Sequence, residues 1–235
     1  MFESVVLSYG IALFFLTWYK PLPYGKFAIE STEWFLPNQL FIPMSNIFAL
    51  VFLIAYPQAV DKWPLSGRRL YVYWFLILHY AFRTVVVPFI QRMLYCDTKV
   101  FNPLILVITC SYNTFVGISF AHMCTELTPE ETWTDIPLLV GAAACLISNM
   151  YYDIYVNYLR EGTYLPEETL EKTFPLLFAC GFTSPNYFFE IMEWSLILLL
   201  TWHTESMAYL ISTSLILWTR GLHTSLWMLC RNDTE

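Results

Sequence analysis

The residues able to do chemistry crowd into Asn186-Tyr187-Phe188-Phe189-Glu190-Ile191-Met192-Glu193-Trp194, where two carboxylates enter an apolar run that continues through Ser195 to Leu200. On a helix, steps of four and three set Asn186, Glu190 and Glu193 on one face. A carboxylate at membrane depth costs about 3 kcal/mol or more, so both acids are expected to face a protein interior and to have partners there. Arg83, Asp153 and Arg220 also fall inside apolar runs, and Arg83 or Arg220 is the expected partner of one glutamate. Three more pairs share a helix face: His79 and Arg83, flanking Tyr80; Asn149 and Asp153; Arg220 and His223. Each pair alone is accounted for by a helix–helix hydrogen bond or a buried ion pair. Polar groups on four helices, all toward the same membrane side, predict a shared polar cavity.

The elements that must position these groups are membrane helices. Of the 235 residues, 57% are hydrophobic and 13% charged, and the mean hydropathy is +0.50. That composition excludes an ordinary soluble domain. Apolar runs at 4–19, 39–57, 70–90, 101–124, 136–156, 186–203 and 206–228 predict an all-α, polytopic membrane protein of about seven transmembrane helices. No repeat or linker divides the chain, so 1–235 is read as a single domain. Nine Trp, sixteen Tyr and nineteen Phe suit interfacial belts and aromatic-lined cavities. A net charge of -7 without a basic patch excludes a nucleic-acid partner.

Six cysteines without CxxC or His-flanked spacing indicate neither a metal site nor a disulfide framework. The N-terminus lacks a basic region and a cleavage site, so 4–19 reads as a retained span. Lys62, Arg68 and Arg69 lie in loops on one side, against Lys20, Lys26, Arg92, Lys99, Arg160, Lys172 and Arg231 on the other. By the positive-inside rule the N-terminus faces away from the cytoplasm or matrix and the C-terminus faces it. The loop Thr125–Asp135 is acidic and reads as a solvated connector. The longer loop after Asn157 turns apolar at Phe174-Pro175-Leu176-Leu177-Phe178, the pattern of a re-entrant or interfacial segment.

In order along the chain stand Tyr24-Gly25-Lys26, His79-Tyr80-x-x-Arg83, Asn149-x-x-x-Asp153, Leu159-Arg160, Tyr164-x-Pro166 and Ser184-Pro185-Asn186-Tyr187-x-x-Glu190-x-x-Glu193-Trp194. This ordered set resembles the steroid 5α-reductase family and covers most of the chain. The resemblance implies a seven-helix membrane reductase. In it NADPH enters from the cytoplasmic side and gives hydride to a carbon–carbon double bond conjugated to a carbonyl in a steroid or similar lipid. It implies that Tyr80 helps polarise the ketone, that Asn149, Asp153, Asn186 and Glu190 contact the cofactor, and that Arg83, Arg220 and His223 line its cavity. The absence of GxGxxG fits a family that does not use a Rossmann fold. By resemblance the compartment is the endoplasmic reticulum, with the mitochondrial inner membrane as the alternative for a complex subunit.

The departures from the pattern gather at the catalytic positions. Where the family's steroid enzymes carry a glutamate that works with the tyrosine, this chain has Asn38, an amide that can hydrogen-bond a carbonyl but cannot act as its acid. Phe189 replaces a glycine before Glu190, and Glu167-Glu168 replace a glycine pair after Pro166. The His- and Tyr-containing segment after Arg220 is reduced to His223-Thr224-Ser225-Leu226-Trp227, and the chain stops at Glu235, before the family's Tyr-Pro and basic segment. Two readings stay open. The departures favour a non-catalytic relative that holds membrane lipid or supports a larger assembly of membrane subunits. The alternative is an active NADPH-dependent reductase.

Overall fold

The computed structural model describes residues 2–19, 36–94, 100–101, 103–161 and 185–232. Their helices are α1 (Phe2–Tyr19), α2 (Asn38–Ala59), α3 (Arg68–Ala81), α4 (Val87–Leu94), α5 (Pro103–Glu126), α6 (Asp135–Glu161), α7 (Pro185–Thr201) and α8 (Thr204–Asn232). A π-helical stretch, Phe82–Val86, joins α3 to α4 without a break, so the described residues form seven rods where the seven apolar runs lie. One two-residue antiparallel contact, β1 (Leu36–Pro37) against β2 (Val100–Phe101), ties the start of α2 to the start of α5.

The chain is a polytopic integral membrane protein. Arg68–Ile90, Leu104–Glu126 and Asp135–Tyr155 are long and apolar enough to cross a bilayer, and Phe2–Trp18 and Pro43–Ala59 are shorter apolar helices. Around a buried apolar core, large apolar side chains also cover the outside: Phe89, Leu104, Ile136 and Ile147 are more than 60% exposed while Glu193 is at 0%. That is the arrangement lipid demands, since apolar side chains cost nothing against acyl chains and carboxylates must be withdrawn from them.

The rods pack by close backbone approach. α2 lies on α5, α6 on α7, and α1 on α8. A Cβ at Gly117 would stand 2.6 Å from the Ala49 carbonyl oxygen, so α2 and α5 touch nearly backbone to backbone, the close approach that small residues permit within membranes. Between α1 and α8 the glue is polar: Ser212 Oγ donates to the Val6 carbonyl at 3.1 Å, and the Thr17 and Thr219 hydroxyls meet at 3.0 Å.

The π stretch has a local cause. Pro88 lacks an N–H, and its ring would strike the Thr84 carbonyl four residues back in a regular helix. The wider turn relieves this, and the Val87 N–H bonds the Phe82 carbonyl five residues back. Arg83 lies inside the widened turn.

The connector before α6 departs from a simple solvated loop. Glu130 and Glu131 are exposed, but Arg68 Nε donates to Asp135 Oδ2 at 2.8 Å, and Arg69 Nε donates to the Leu127 carbonyl. Tyr24-Gly25-Lys26, Tyr164, Pro166, Glu167, Glu168, Lys172, the 174–178 segment and Ser184 lie outside the described residues. So do the side chains of Asn38, Arg160, Arg231 and Thr224–Trp227.

Candidate active site

α7 carries the acids inward because one of its faces holds Asn186, Glu190, Glu193 and Ile197, all buried, while Met192 and Leu199 look outward. Glu190 is 5% exposed and Glu193 0%, as the insertion cost of a lone carboxylate requires. Each meets the rod formed by α3 and the π stretch. Arg83 grips Glu190 with both arms, Nη1 to Oε1 at 3.0 Å and Nη2 to Oε2 at 2.9 Å. In this fork-to-fork geometry each bond is charge-assisted, roughly twice as strong as one between neutral groups. One turn away, His79 Nδ1 lies 2.6 Å from Glu193 Oε1, both side chains fully buried. The expectation of an arginine partner thus holds for Glu190; Glu193 takes a histidine.

From the other side α6 brings its own polar pair to the same face of α7. Asn149 Nδ2 reaches Glu190 Oε2 at 3.5 Å, and Asn186 Nδ2 donates to Asp153 Oδ1 at 3.4 Å. The two pairs are stacked one turn apart on both helices, which the four-residue spacing within each motif makes possible. Arg83, Asn149, Asp153, Asn186 and Glu190 therefore form one connected seam across three rods. Arg220, from α8, sits over the ring of Tyr187 on α7 at 5.6 Å, a cation–π contact that leaves it beside the seam. His223 goes elsewhere: its Nε2 is 2.6 Å from the Thr17 carbonyl on α1. Asn38 opens α2, and its side chain lies outside the described part.

Tyr80 follows His79 on α3, its ring 5.0 Å from the His79 ring, and its hydroxyl faces Tyr209 on α8 and Tyr112 on α5. It is 1% exposed. The buried Tyr112 hydroxyl faces those of Ser212 and Thr213, and neither tyrosine hydroxyl closes to a well-formed hydrogen bond. Trp194 closes the space between, with its ring centroid 4.5 Å from Tyr209, 4.8 Å from His79 and 5.3 Å from Phe120. Tyr112 and Tyr209 border Tyr80, and sequence reasoning did not single them out. The available signal was the run Tyr209, Ser212, Thr213, polar at helical spacing within an apolar stretch.

The buried polar atoms left without a partner among the described residues include Tyr80 Oη, Asn149 Oδ1 and Asn186 Oδ1. All three flank the seam. Each such atom costs about 1–3 kcal/mol while unsatisfied.

Comparison with known proteins agrees with this arrangement. Residues 98–234 match the model of the family described as 3-oxo-5-alpha-steroid 4-dehydrogenase. The chain is also similar to 3-oxo-5-alpha-steroid 4-dehydrogenase 1 of Bos taurus, at 22% identity over 225 residues that take in 93% of this chain and 85% of the relative.

Proposed function

Because this chain belongs to the 3-oxo-5-alpha-steroid 4-dehydrogenase family, we propose that it is an NADPH-dependent reductase of a carbon–carbon double bond conjugated to a carbonyl in a steroid or similar membrane lipid. The observation that carries this reading is the grouping of Tyr80 Oη, Asn149 Oδ1 and Asn186 Oδ1 around the Arg83-held Glu190. A carboxamide and a carbonyl are the groups that two amide oxygens and a phenol hydroxyl would hydrogen-bond.

The residues fit the nicotinamide end of the cofactor. Asn149 and Asn186 offer carbonyl oxygens and Glu190 a fixed carboxylate, the acceptors a carboxamide N–H needs. When bound, the dihydronicotinamide supplies hydride to the β-carbon of the conjugated system. Arg83 holds Glu190 in place and keeps its charge tolerable in a dry site. Tyr80 donates a hydrogen bond to the substrate carbonyl oxygen, where negative charge develops, and its burial among Trp194, Tyr112 and Tyr209 excludes water from that oxygen. The apolar walls suit a lipid entering from the bilayer. By resemblance the membrane is that of the endoplasmic reticulum.

A second reading, a relative that holds lipid or supports an assembly without turnover, is favoured by one observation: Asn38 stands where the family's steroid enzymes carry an acid. The test that separates them is NADPH oxidation by the purified protein in lipid, with a 3-oxo-Δ4 steroid, a polyprenal-like enal and an enoyl thioester offered in turn. The reductase reading expects turnover on at least one of the three, lost in Tyr80→Phe. No turnover on any of them supports the second reading.

A further inference from the structure

We infer that His79 and Glu193 form a positioning pair that aims the Tyr80 hydroxyl, and that the seam therefore has two rungs with different duties. The kinetic consequence rests on the reductase reading; the structural one does not. The first rung, Arg83 with Glu190, contributes a carboxylate that faces the open polar atoms of the seam. The second, His79 with Glu193, faces none of them: both side chains are fully buried and their contact is 2.6 Å.

A helix–helix contact alone does not account for the second rung. Replacing a buried polar or charged pair by apolar side chains of similar volume is commonly neutral or stabilising, so a Leu–Leu contact would join α3 to α7 at least as well. What leucines cannot reproduce is direction. A 2.6 Å hydrogen bond fixes the rotation of the imidazole and, with it, the rotation of α3 about its axis at residue 79. Tyr80 is the next residue, so its side chain leaves the helix about 100° further round, wherever that rotation puts it. Just beyond it the helix loses regular geometry in the π stretch Phe82–Val86, so regular turns beyond residue 81 do not constrain Tyr80.

A second set of contacts carries the same restraint. The His79 ring lies against Trp194 at 4.8 Å and Tyr80 at 5.0 Å, both near perpendicular, and Trp194 in turn lies against Tyr209 at 4.5 Å. Tyr209 is the group whose hydroxyl flanks that of Tyr80. Glu193 holds His79, His79 supports Trp194, and Trp194 backs the ring that borders the Tyr80 hydroxyl. The unpartnered Trp194 Nε1, His79 Nε2 and Glu193 Oε2 show that this arrangement is kept despite imperfect satisfaction.

The test places 3-fluorotyrosine at position 80 in the full chain, reconstituted in phosphatidylcholine nanodiscs, and reads the 19F spectrum. The unsubstituted pair should give one sharp resonance. Glu193→Gln, His79→Gln and the double substitution His79→Leu with Glu193→Leu should each split or broaden it. The leucine pair should remain folded, with an unfolding midpoint no lower than that of the parent, so that loss of order at Tyr80 is separated from loss of fold. In turnover assays the same variants should lower kcat at least tenfold and leave NADPH affinity within twofold. A single sharp resonance in the folded leucine pair overturns the inference, as does a kcat within twofold of the parent. A parent protein that oxidises no NADPH sinks the reductase reading instead, and the 19F comparison then decides the positioning role alone.

Discussion

Exchanging the two partners of the first rung should reveal how much of the fold depends on their pairing. In Arg83→Met, Glu190 stays at 5% exposure and, among the described residues, keeps Asn149 Nδ2 at 3.5 Å to share its charge. Stranding one member of a buried pair typically costs about 3–5 kcal/mol. In Glu190→Met the guanidinium loses both of its bonds, at 3.0 and 2.9 Å, and the cost should be similar. For a chain of this size about 2–4 °C of midpoint accompanies each kcal/mol, so either single variant should melt about 6–20 °C below the parent in the same lipid nanodiscs. The double variant removes both charges together, so it should recover to within about 1–2 kcal/mol of the parent. Unfolding followed by tryptophan emission and by a thiol probe at buried Cys124 would supply the four midpoints. Single variants within 2 °C of the parent, or a double variant as low as the two losses combined, would refute the claim that the pair is a coupled unit.

Three further outcomes follow from other parts of the molecule. At the turn between α7 and α8, Glu205 is bridged by His203 and by His122, the latter at 3.0 Å; burial pushes its carboxyl up, but hydrogen bonds with His203 and Thr204 outweigh this and hold it at about 2, while the bond to Glu205 raises His203. The raised histidine stabilises fully below its unfolded value of about 6.5 and less as pH rises through its folded value; the depressed acid stabilises above about 4.5 and less as pH falls toward its folded value. Thermal midpoints should therefore peak between those limits, and His203→Asn should flatten the alkaline fall; an unchanged alkaline fall would contradict the assignment. Gly117→Ala should lower the midpoint, since its Cβ would meet the Ala49 carbonyl at 2.6 Å and overpacking costs about 1–3 kcal/mol; a raised midpoint would show that α2 and α5 have room. On the reductase reading, Asn38→Glu, which supplies the acid that the resemblance implies at this position, should raise turnover about tenfold or more, and no gain would show that Asn38 does not limit it.

The number and placement of the rods were legible in the sequence because lipid imposes a length and a composition on each span: the runs 39–57 and 136–156 correspond to Asn38–Ala59 and Asp135–Glu161. The inward turn of Glu190 and Glu193 was legible for the same reason, as charge is excluded from lipid. Which partner each acid takes was not. His79 and Arg83 share a face with equal claim on either glutamate, and the pairing depends on the opposed directions of α3 and α7 and on the π stretch that reseats Arg83. That stretch has a sequence cause in Pro88, but a proline nine residues beyond His79 reads equally well as a kink or an end. Tyr112 and Tyr209 escaped notice because a tyrosine in an apolar run is ordinary packing until its neighbours are known. His223, grouped with Arg220 by spacing, bonds to α1 because α8 lies along α1 there, a contact between the first and last rods that no local pattern encodes.

The most direct test of the central claim, that the seam formed by α3, α6 and α7 is a dinucleotide site, is equilibrium binding of NADPH to the purified protein in nanodiscs, followed by cofactor fluorescence. The account predicts saturable binding, weakened at least tenfold by Asn149→Leu or Asn186→Leu and left within twofold by Tyr80→Phe. No saturable binding, or equal affinity in the two asparagine variants and the parent, would contradict it.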